Sequence, residues 1–292
     1  MSAPILVFGR EGQVARELAH VGEAERRAMV FAGRETLDLT NFGAIDGLIA
    51  AIAPRAVINA AAYTAVDRAE SEVEAAFALN RDAPAAMARA CAARGLPLVH
   101  FSTDYVFDGA LDRPYVETDP TGPANVYGAS KLAGEQAVIA AGGAAVILRT
   151  AWVYSAHGTN FVKTMLRLAA DRDEIAVVAD QLGRPTWARD GARGALATLD
   201  ALSETPGLAG VYHLSGPDDA SWADLASAVF TESARRGGPS ARVRAITTDQ
   251  YPTPAKRPAN SRLDSTKIQA TLSWQARPWR ESLAACMNQM EF

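Results

Sequence analysis

The sequence has little of what disulfide scaffolds and metal sites require. It contains two cysteines, Cys91 and Cys286, in 292 residues. Two cysteines cannot build a disulfide framework or a cysteine-only zinc site. The spacing of His20, His157 and His213 matches no metal-ligand pattern. We therefore expect neither a disulfide-rich domain nor a metal centre.

The sequence also lacks an excess of charge and a long hydrophobic run. Lys plus Arg number 29 against 33 Asp plus Glu, a net charge of −4, which argues against a nucleic-acid partner. The longest apolar stretch, residues 45–62, carries Asp46, Pro54, Arg55 and Asn59, and is shorter than a bilayer span. Residues 1–8 lack the basic start of a signal peptide. These features favour a soluble, cytoplasmic protein without a membrane partner.

Short apolar runs alternate with longer alanine-rich segments in the first half of the chain. The apolar runs occupy 5–8, 29–32, 56–59, 98–101 and 145–148. The segments between them predict helices over 13–20, 41–53, 71–93 (interrupted at Pro84) and 127–140. Continuous apolar strands separated by helices are typical of a parallel sheet covered on both faces. The pattern predicts an α/β fold with a doubly wound parallel sheet.

The second half of the chain is less regular. Strand-like pieces occur at 175–178, 211–214 and 243–246, and the proline-rich, polar segment 251–262 predicts a long loop. We expect a dinucleotide-binding domain formed by 1–152 plus about 187–215. A smaller α/β substrate-binding domain would comprise about 153–186 plus 216–292.

A glycine turn follows the first predicted strand and opens the first helix. Gly9 and Gly12 precede Gln13, Val14 and Ala15 in a Gly-x-x-Gly-x-x-Ala spacing. Glycine permits a tight turn and close approach of a ligand, and a helix N-terminus attracts phosphate. The spacing differs from Gly-x-Gly-x-x-Gly. The alternatives are a cofactor pyrophosphate site and an ordinary strand–helix turn.

The second predicted strand ends at Ala32, followed by Gly33 and Arg34, where many NAD-binding folds place an acidic residue. Arg34 is suited to a 2′-phosphate, or it is a surface arginine. Asp38 either faces the adenosine or caps the helix that starts near Asn41.

Tyr127 and Lys131 stand four residues apart at the start of a predicted helix. Residues at i and i+4 share one face of a helix, and a neighbouring ammonium favours the phenolate form of a tyrosine. Such a tyrosine can protonate a developing alkoxide, although the pair can equally be a surface feature. Thr103 and Asp104 follow the fourth strand, at the sheet edge where ligands bind, unless they only cap the loop.

These motifs resemble the extended short-chain dehydrogenase/reductase superfamily and, within it, the dTDP-4-dehydrorhamnose reductase family. The segments that carry the resemblance include 59–70, 102–109, 127–131, 148–154, 180–186 and 257–264. The Tyr–Lys and glycine motifs identify only the superfamily. Segments 59–70 and 257–264 are specific to the family.

The resemblance implies a Rossmann-type fold, NADPH or NADH as cofactor, and reduction of the C4 ketone of a dTDP-linked 6-deoxyhexulose. It implies a catalytic set of Thr103, Tyr127 and Lys131. The cofactor residues that it implies are Gly12, Gln13, Val14, Asp38, Leu39, Ala61, Ala62, Tyr63, Tyr127 and Lys131, and the strand-end arguments above add Gly9 and Arg34. The implied contacts to the nucleotide sugar are Thr103, Asp104 and Trp152. As a separate hypothesis, Arg257 in the proline-rich loop contacts the pyrophosphate or the nucleotide, since arginine suits phosphate. Trp152 can instead be a core tryptophan.

One position departs from the family pattern. Some members dimerise through a metal held by glutamates, and Glu17 matches one of these, but Arg189 stands where another carboxylate is needed. We therefore expect no metal, and expect Arg189 to pair with an acid of its own chain or of a partner. A homodimer remains open.

Two other classes of function remain. A homologous fold serves as a non-catalytic regulatory subunit of methionine adenosyltransferase, and fold alone does not exclude this. A nucleotide-sugar epimerase would use the same Tyr–Lys pair. The complete set of Thr103, Tyr127 and Lys131 favours an enzyme over the regulatory subunit.

Overall fold

The computed structural model describes residues 3–272 and 274–291. Its strands are β1 (Ile5–Phe8), β2 (Met29–Ala32), β3 (Ala56–Asn59), β4 (Leu98–Thr103), β5 (Ala145–Thr150), β6 (Val153–Tyr154), β7 (Glu174–Val178), β8 (Leu182–Gly183), β9 (Thr186–Trp187), β10 (Gly210–His213), β11 (Ala220–Ser221) and β12 (Arg242–Ile246). Its α-helices are α1 (Gln13–Ala24), α2 (Phe42–Ile52), α3 (Val66–Ala69), α4 (Val73–Phe77), α5 (Ala83–Ala92), α6 (Val126–Ala140), α7 (Phe161–Ala169), α8 (Ala188–Glu204), α9 (Trp222–Ala234), α10 (Thr266–Leu272) and α11 (Trp279–Met287).

Six parallel strands form the central sheet in the order β10–β5–β4–β3–β1–β2. The chain runs from β1 to β2 on one side and then continues with β3 on the other side of β1. The strand order therefore reverses between β1 and β3, which is where open α/β sheets bind ligands. The predicted doubly wound, Rossmann-type sheet is confirmed.

Alternate residues of each strand point to opposite faces of the sheet and enter different apolar cores. Ile5 and Val7 pack with α1 and α8 on one face. Leu6 and Phe8 pack with α2 and α5 on the other. All four residues of β1 are buried, which explains why the strand is apolar throughout instead of alternating.

A third apolar core lies in the second half of the chain, among α7, α9 and α11. Here β7 pairs with β12 in parallel, and β8 pairs with β11 in an antiparallel bridge. Ile268 of α10 packs instead into the core of the central sheet. The division into two domains at the boundaries given above stays a prediction.

The predicted helix over 71–93 is the principal difference from the sequence-based expectation. It consists of α4, a π-helical turn at Ala78–Asp82, and α5. The helical path does not stop at Pro84, the second residue of α5; it changes from a π-helical to an α-helical turn immediately before that proline. The segment 251–262 contains no helix or ladder strand, apart from an isolated bridge between Leu182 and Asn260.

A buried acid joins α1 to the second half of the chain. Glu17 is fully buried, and its carboxylate accepts hydrogen bonds from Arg189 Nε at 2.6 Å and Ser155 Oγ at 2.9 Å. The expected pairing of Arg189 with an acid of its own chain is confirmed. Within residues 3–272 and 274–291, no group of three or more His, Cys, Asp and Glu side chains is arranged to hold a metal ion. No helix in these ranges is long and apolar enough to cross a membrane.

Helix α6 packs against the π-helical turn through a glycine. A Cβ added at Gly134 would lie 1.9 Å from the carbonyl oxygen of Asn80. We predict that Gly134→Ala lowers the free energy of unfolding by about 1–3 kcal/mol, because the backbones must separate. Urea denaturation measures this.

The matched control is Gly47→Ala in α2, where an added Cβ meets nothing within 4 Å. This exposed helical position should gain about 0.5–1 kcal/mol from alanine. Equal effects of the two substitutions would contradict the packing argument.

Candidate active site

One large cavity runs along the carboxyl ends of β1 to β5. Its volume is about 1170 Å³, enough for a dinucleotide and a second ligand. The sequence-predicted residues that line it are Gly9, Gly12, Gln13, Val14, Arg34, Asp38, Leu39, Ala61, Ala62, Thr103, Asp104, Tyr127, Lys131 and Trp152. Because parallel strands end at the same edge, residues far apart in the sequence meet there.

The glycine turn shapes the cavity at the end of β1. Gly9 has φ of +107°, and a Cβ there would lie 3.2 Å from the backbone of Ala60, so this position requires glycine. Gly12 has an ordinary backbone (φ −69°) and is the N-cap of α1, without a side-chain cap. A Cβ on Gly12 would project into open space. The uncapped helix end and this free space fit a pyrophosphate.

The end of β2 presents both signs of charge to the cavity. Arg34 and Glu35 both line it, and Glu35 accepts a hydrogen bond from Arg10 Nη1 at 2.8 Å. Asp38 accepts hydrogen bonds from the backbone and hydroxyl of Thr40, which lower its pKa. Asp38 does not cap α2, since the side chain of Asn41 does so. A guanidinium suits a 2′-phosphate and a carboxylate suits a 2′-hydroxyl.

Helix α6 carries the Tyr–Lys pair into the cavity. The Asn125 side chain caps α6 by accepting from the Gly128 N–H at 2.8 Å. Lys131 is buried, and its Nζ donates to the carbonyl oxygen of Phe101 at 2.6 Å. Burial lowers the pKa of Lys131 to about 8, while the Glu135 carboxylate acts in the opposite direction.

The pKa of Tyr127 is shifted in the direction opposite to the expected one. Burial raises it to about 12, and hydrogen bonding with Thr103 only partly opposes this. The ammonium of Lys131 is directed to a backbone carbonyl and does not offset the burial of the phenol. Tyr127 is therefore protonated at neutral pH and suited to give a proton rather than to take one.

A buried ion pair joins helix α6 to strand β5 of the central sheet. Arg149 of β5 donates to Glu135 through Nε at 2.9 Å and Nη2 at 2.7 Å, and both side chains are almost fully buried. Ser102 of β4 also donates to Glu135. Glu135 lies one turn beyond Lys131, so the pair fixes α6 against the sheet.

Thr103 and Asp104 end β4 beside Tyr127. The Thr103 hydroxyl donates to Asp104 Oδ1 at 2.8 Å and accepts from the Tyr105 N–H at 3.2 Å. Asp104 is buried, and its Oδ2 has no hydrogen-bond partner among the described residues. Burial raises the pKa of Asp104 to about 7, so its charge changes near neutrality.

Two predicted site residues lie outside the cavity lining. The backbone of Tyr63 is held by Asn80, and its phenol donates to Glu72 Oε2 at 2.7 Å. Arg257 forms an ion pair with Asp67 Oδ2 at 2.9 Å. The guanidinium of Arg257 and the phenol of Tyr63 are therefore occupied by protein partners.

Sequence reasoning missed several residues of the cavity wall. Trp222 contributes from the start of α9, and Gly158 and Thr159 contribute from the segment before α7. Ser221 and Asp224 form a capping box around Trp222. That spacing locates a helix start in the sequence, but it carries no information about which cavity the helix reaches.

Family, sequence and structure comparisons all match this chain to dTDP-4-dehydrorhamnose reductases. The family model described as RmlD substrate binding domain matches residues 3–292. The chain is 46% identical to dTDP-4-dehydrorhamnose reductase of Sinorhizobium fredii, over 95% of this chain and 94% of that protein. It is 40% identical to the Escherichia coli K12 protein of the same name, over 98% and 97%. The crystal structure of the Bacillus anthracis reductase in complex with NADP has a TM-score of 0.91 at 33% identity, covering 99% of this chain and 100% of that one.

The parallel sheet, the glycine turn and the Tyr–Lys pair in the cavity define a Rossmann-type oxidoreductase. The matches extend over nearly the whole chain and identify the family within this class. The chain belongs to the dTDP-4-dehydrorhamnose reductase family. The resemblance seen in the sequence motifs is thereby confirmed.

The shifted pKa of Asp104 predicts a pH-dependent stability. Between pH 3.8 and about 7 the unfolded chain has released this proton and the folded chain keeps it. The contribution of Asp104 to the free energy of unfolding therefore falls as the pH rises through this interval. Asp104→Asn removes the titrating carboxyl group. The free energy of unfolding of the variant, relative to that of the wild type, should therefore rise by up to about 4 kcal/mol between pH 4 and pH 7.5.

Urea denaturation of both proteins across this interval measures the difference. Burial also lowers the pKa values of His100 and His213, but these histidines are common to both proteins and their effect cancels. Parallel stability curves for wild type and variant would show that Asp104 titrates normally.

Proposed function

We propose that this chain reduces the C4 ketone of dTDP-6-deoxy-L-lyxo-4-hexulose to give dTDP-L-rhamnose, using NADPH or NADH. The observation that carries the proposal is the convergence of Tyr127, Lys131 and Thr103 on one cavity that also contains the glycine turn. The named relatives, dTDP-4-dehydrorhamnose reductases, supply the substrate class. The B. anthracis neighbour, in complex with NADP, supports the cofactor.

The residues present fit a nicotinamide dinucleotide. The N–H groups at the start of α1, from Gly12 to Val14, would hold the pyrophosphate. Arg34, Asp38 and Leu39 would border the adenosine, while Ala61 and Ala62 would line the cleft. Lys131 would bind the nicotinamide ribose. When bound in its reduced form, the cofactor supplies the hydride.

Tyr127 supplies the proton for the C4 oxygen. Its raised pKa keeps the phenol protonated at neutral pH until a strongly basic alkoxide develops beside it. Lys131, close on the same helix face, then stabilises the phenolate that remains. Thr103 polarises the ketone with its hydroxyl, which requires that hydroxyl to turn from Asp104 to the substrate.

The sugar nucleotide is recognised by groups at the same end of the cavity. Asp104 and Trp152 line it beside Thr103. Arg257 would bind the diphosphate by leaving its ion pair with Asp67, which is partly exposed and therefore inexpensive to break. The domain division given above would place these groups between two domains.

We also propose a cytoplasmic location, supported by two free, buried cysteines in a chain without a disulfide among its described residues. Homodimer formation is a further proposal.

The first test is reduction of dTDP-6-deoxy-L-lyxo-4-hexulose by the purified protein, followed by loss of reduced-cofactor absorbance. Tyr127→Phe keeps the ring and removes the proton donor. We expect kcat to fall about 10²–10⁴-fold while the dissociation constant for NADPH stays within about twofold.

Two results would change the assignment. A folded wild-type protein that binds NADPH but does not turn over with either cofactor would favour the regulatory-subunit alternative or another nucleotide sugar. Purification with tightly held, redox-active NAD would favour an epimerase, which keeps its cofactor through the cycle.

Arg257→Ala tests the proposed phosphate contact. We predict an increase of about tenfold or more in KM for the nucleotide sugar with a smaller change in kcat, because a charge-assisted contact remote from the ketone is lost. Arg244→Ala, an exposed arginine paired with Glu174 on β12 and β7, is the control. Unchanged KM in Arg257→Ala would refute the contact.

A further inference from the structure

The backbone of Trp152 is in an unusual conformation. This residue lies between β5 and β6 and has φ of +48°, in the left-handed region that bulky side chains rarely adopt. Such a conformation persists only when the surrounding structure enforces it, and it often marks a functional position. Contacts from other parts of the chain hold Trp152 in this conformation.

One restraint is a second indole. The ring of Trp152 stacks on that of Trp222, with centroids 3.5 Å apart and planes inclined by 7°. Trp222 is the first residue of α9, where the capping box of Ser221 and Asp224 fixes the helix start. Phe161 of α7 packs against Trp222 at 4.7 Å. Trp222 is thus a fixed platform for Trp152.

Another restraint is the absence of a side chain at Gly183. A Cβ added at Gly183 would lie 2.2 Å from Cε2 and 2.5 Å from Nε1 of Trp152. Gly183 itself has no positive φ, so its backbone does not require glycine. A larger residue is excluded at position 183 because the Trp152 indole occupies the space that its side chain would need.

The polar atoms of both indoles are satisfied within the protein. Trp152 Nε1 donates to Ser261 Oγ at 3.0 Å, and Trp222 Nε1 donates to Gln181 Oε1 at 3.2 Å. Both rings line the large cavity. The indole wall, defined as Trp152 with Trp222, therefore adds apolar surface to the cavity without a free hydrogen-bond donor.

We propose that Trp222 is a positioning residue that fixes Trp152 as part of a flat apolar wall, against which the C–H face of the sugar packs. The inference rests on the proposed function, since it assumes that the hexulose binds beside Thr103 and Tyr127. An indole wall suits a ring with few hydroxyl groups on the face it contacts, because a buried hydroxyl there would have no partner. Polar recognition is left to Thr103 and Asp104.

The test compares Trp222→Ala with Trp222→Phe, which retains a stacking ring. Calorimetry gives the dissociation constant for dTDP-L-rhamnose in the presence of NADP⁺, and steady-state kinetics give KM and kcat. Trp222→Ala should weaken sugar-nucleotide binding and raise KM by about tenfold. NADPH affinity should change by less than about twofold, and Trp222→Phe should recover most of the loss.

A control and a second variant separate positioning from folding. Thr231→Ala, an exposed residue of the same helix, should leave all these values unchanged. Gly183→Ala should weaken sugar-nucleotide binding as Trp222→Ala does, because the new methyl displaces the indole. Stacked indoles also give an exciton couplet in circular dichroism, which Trp222→Ala should abolish and Thr231→Ala should retain.

The outcomes distinguish this inference from the proposed function. If the wild type binds and reduces the sugar nucleotide but Trp222→Ala binds it equally well, the positioning role is wrong and the proposed function stands. If the wild type neither binds nor reduces it, both are wrong. Loss of NADPH affinity in Trp222→Ala equal to its loss of sugar-nucleotide affinity would also overturn the inference, because the effect would then be a general one.

Discussion

The buried ion pair between Glu135 and Arg149 is the interaction on which the site depends. It joins the helix that carries Tyr127 and Lys131 to the strand β5, and both partners are almost fully excluded from water. Removing one partner of such a pair costs about 3–5 kcal/mol, because the other charge is left buried and alone. Two further contacts stabilise the pair. The Ser102 hydroxyl donates to Glu135, and the Arg149 guanidinium carbon lies 5.0 Å from the centroid of the Phe107 ring. With α6 fixed in this way, helix geometry sets the positions of Lys131 one turn earlier and of Tyr127 two turns earlier.

The same exclusion of water sets the protonation states in the site. It raises the pKa of Tyr127 to about 12 and of Asp104 to about 7, and lowers that of Lys131 to about 8. All three shifts favour the neutral form, as burial always does. A tyrosine that holds its proton is suited to a reduction, where the proton must be given only as negative charge appears on the substrate oxygen. Burial, rather than a neighbouring cation, is therefore the main determinant of this group's acidity.

The two ends of the cavity are built by different means. Near the start of α1 the wall is backbone, because Gly9 and Gly12 keep side chains away and leave N–H groups available. At the other end the wall is a pair of indoles with no free donor, next to the hydroxyl and carboxyl groups of Thr103 and Asp104. The first arrangement suits phosphate groups and the second suits a sugar with apolar and polar faces. One sheet edge can thus hold two chemically distinct ligands next to each other.

The sequence by itself determined the elements and the chemistry of this protein. Five apolar runs located β1 to β5, because strands buried on both faces must be apolar throughout, and the i, i+4 spacing located Tyr127 and Lys131 on one helix face. Tertiary structure alone decided what surrounds these groups. It paired Arg257 with Asp67, turned the Tyr63 phenol to Glu72, placed a π-helical turn before Pro84, and brought Trp222 to Trp152 from a separate part of the chain. Local patterns record periodicity and spacing, whereas burial, pKa and long-range pairing depend on which distant residues the folded backbone brings together.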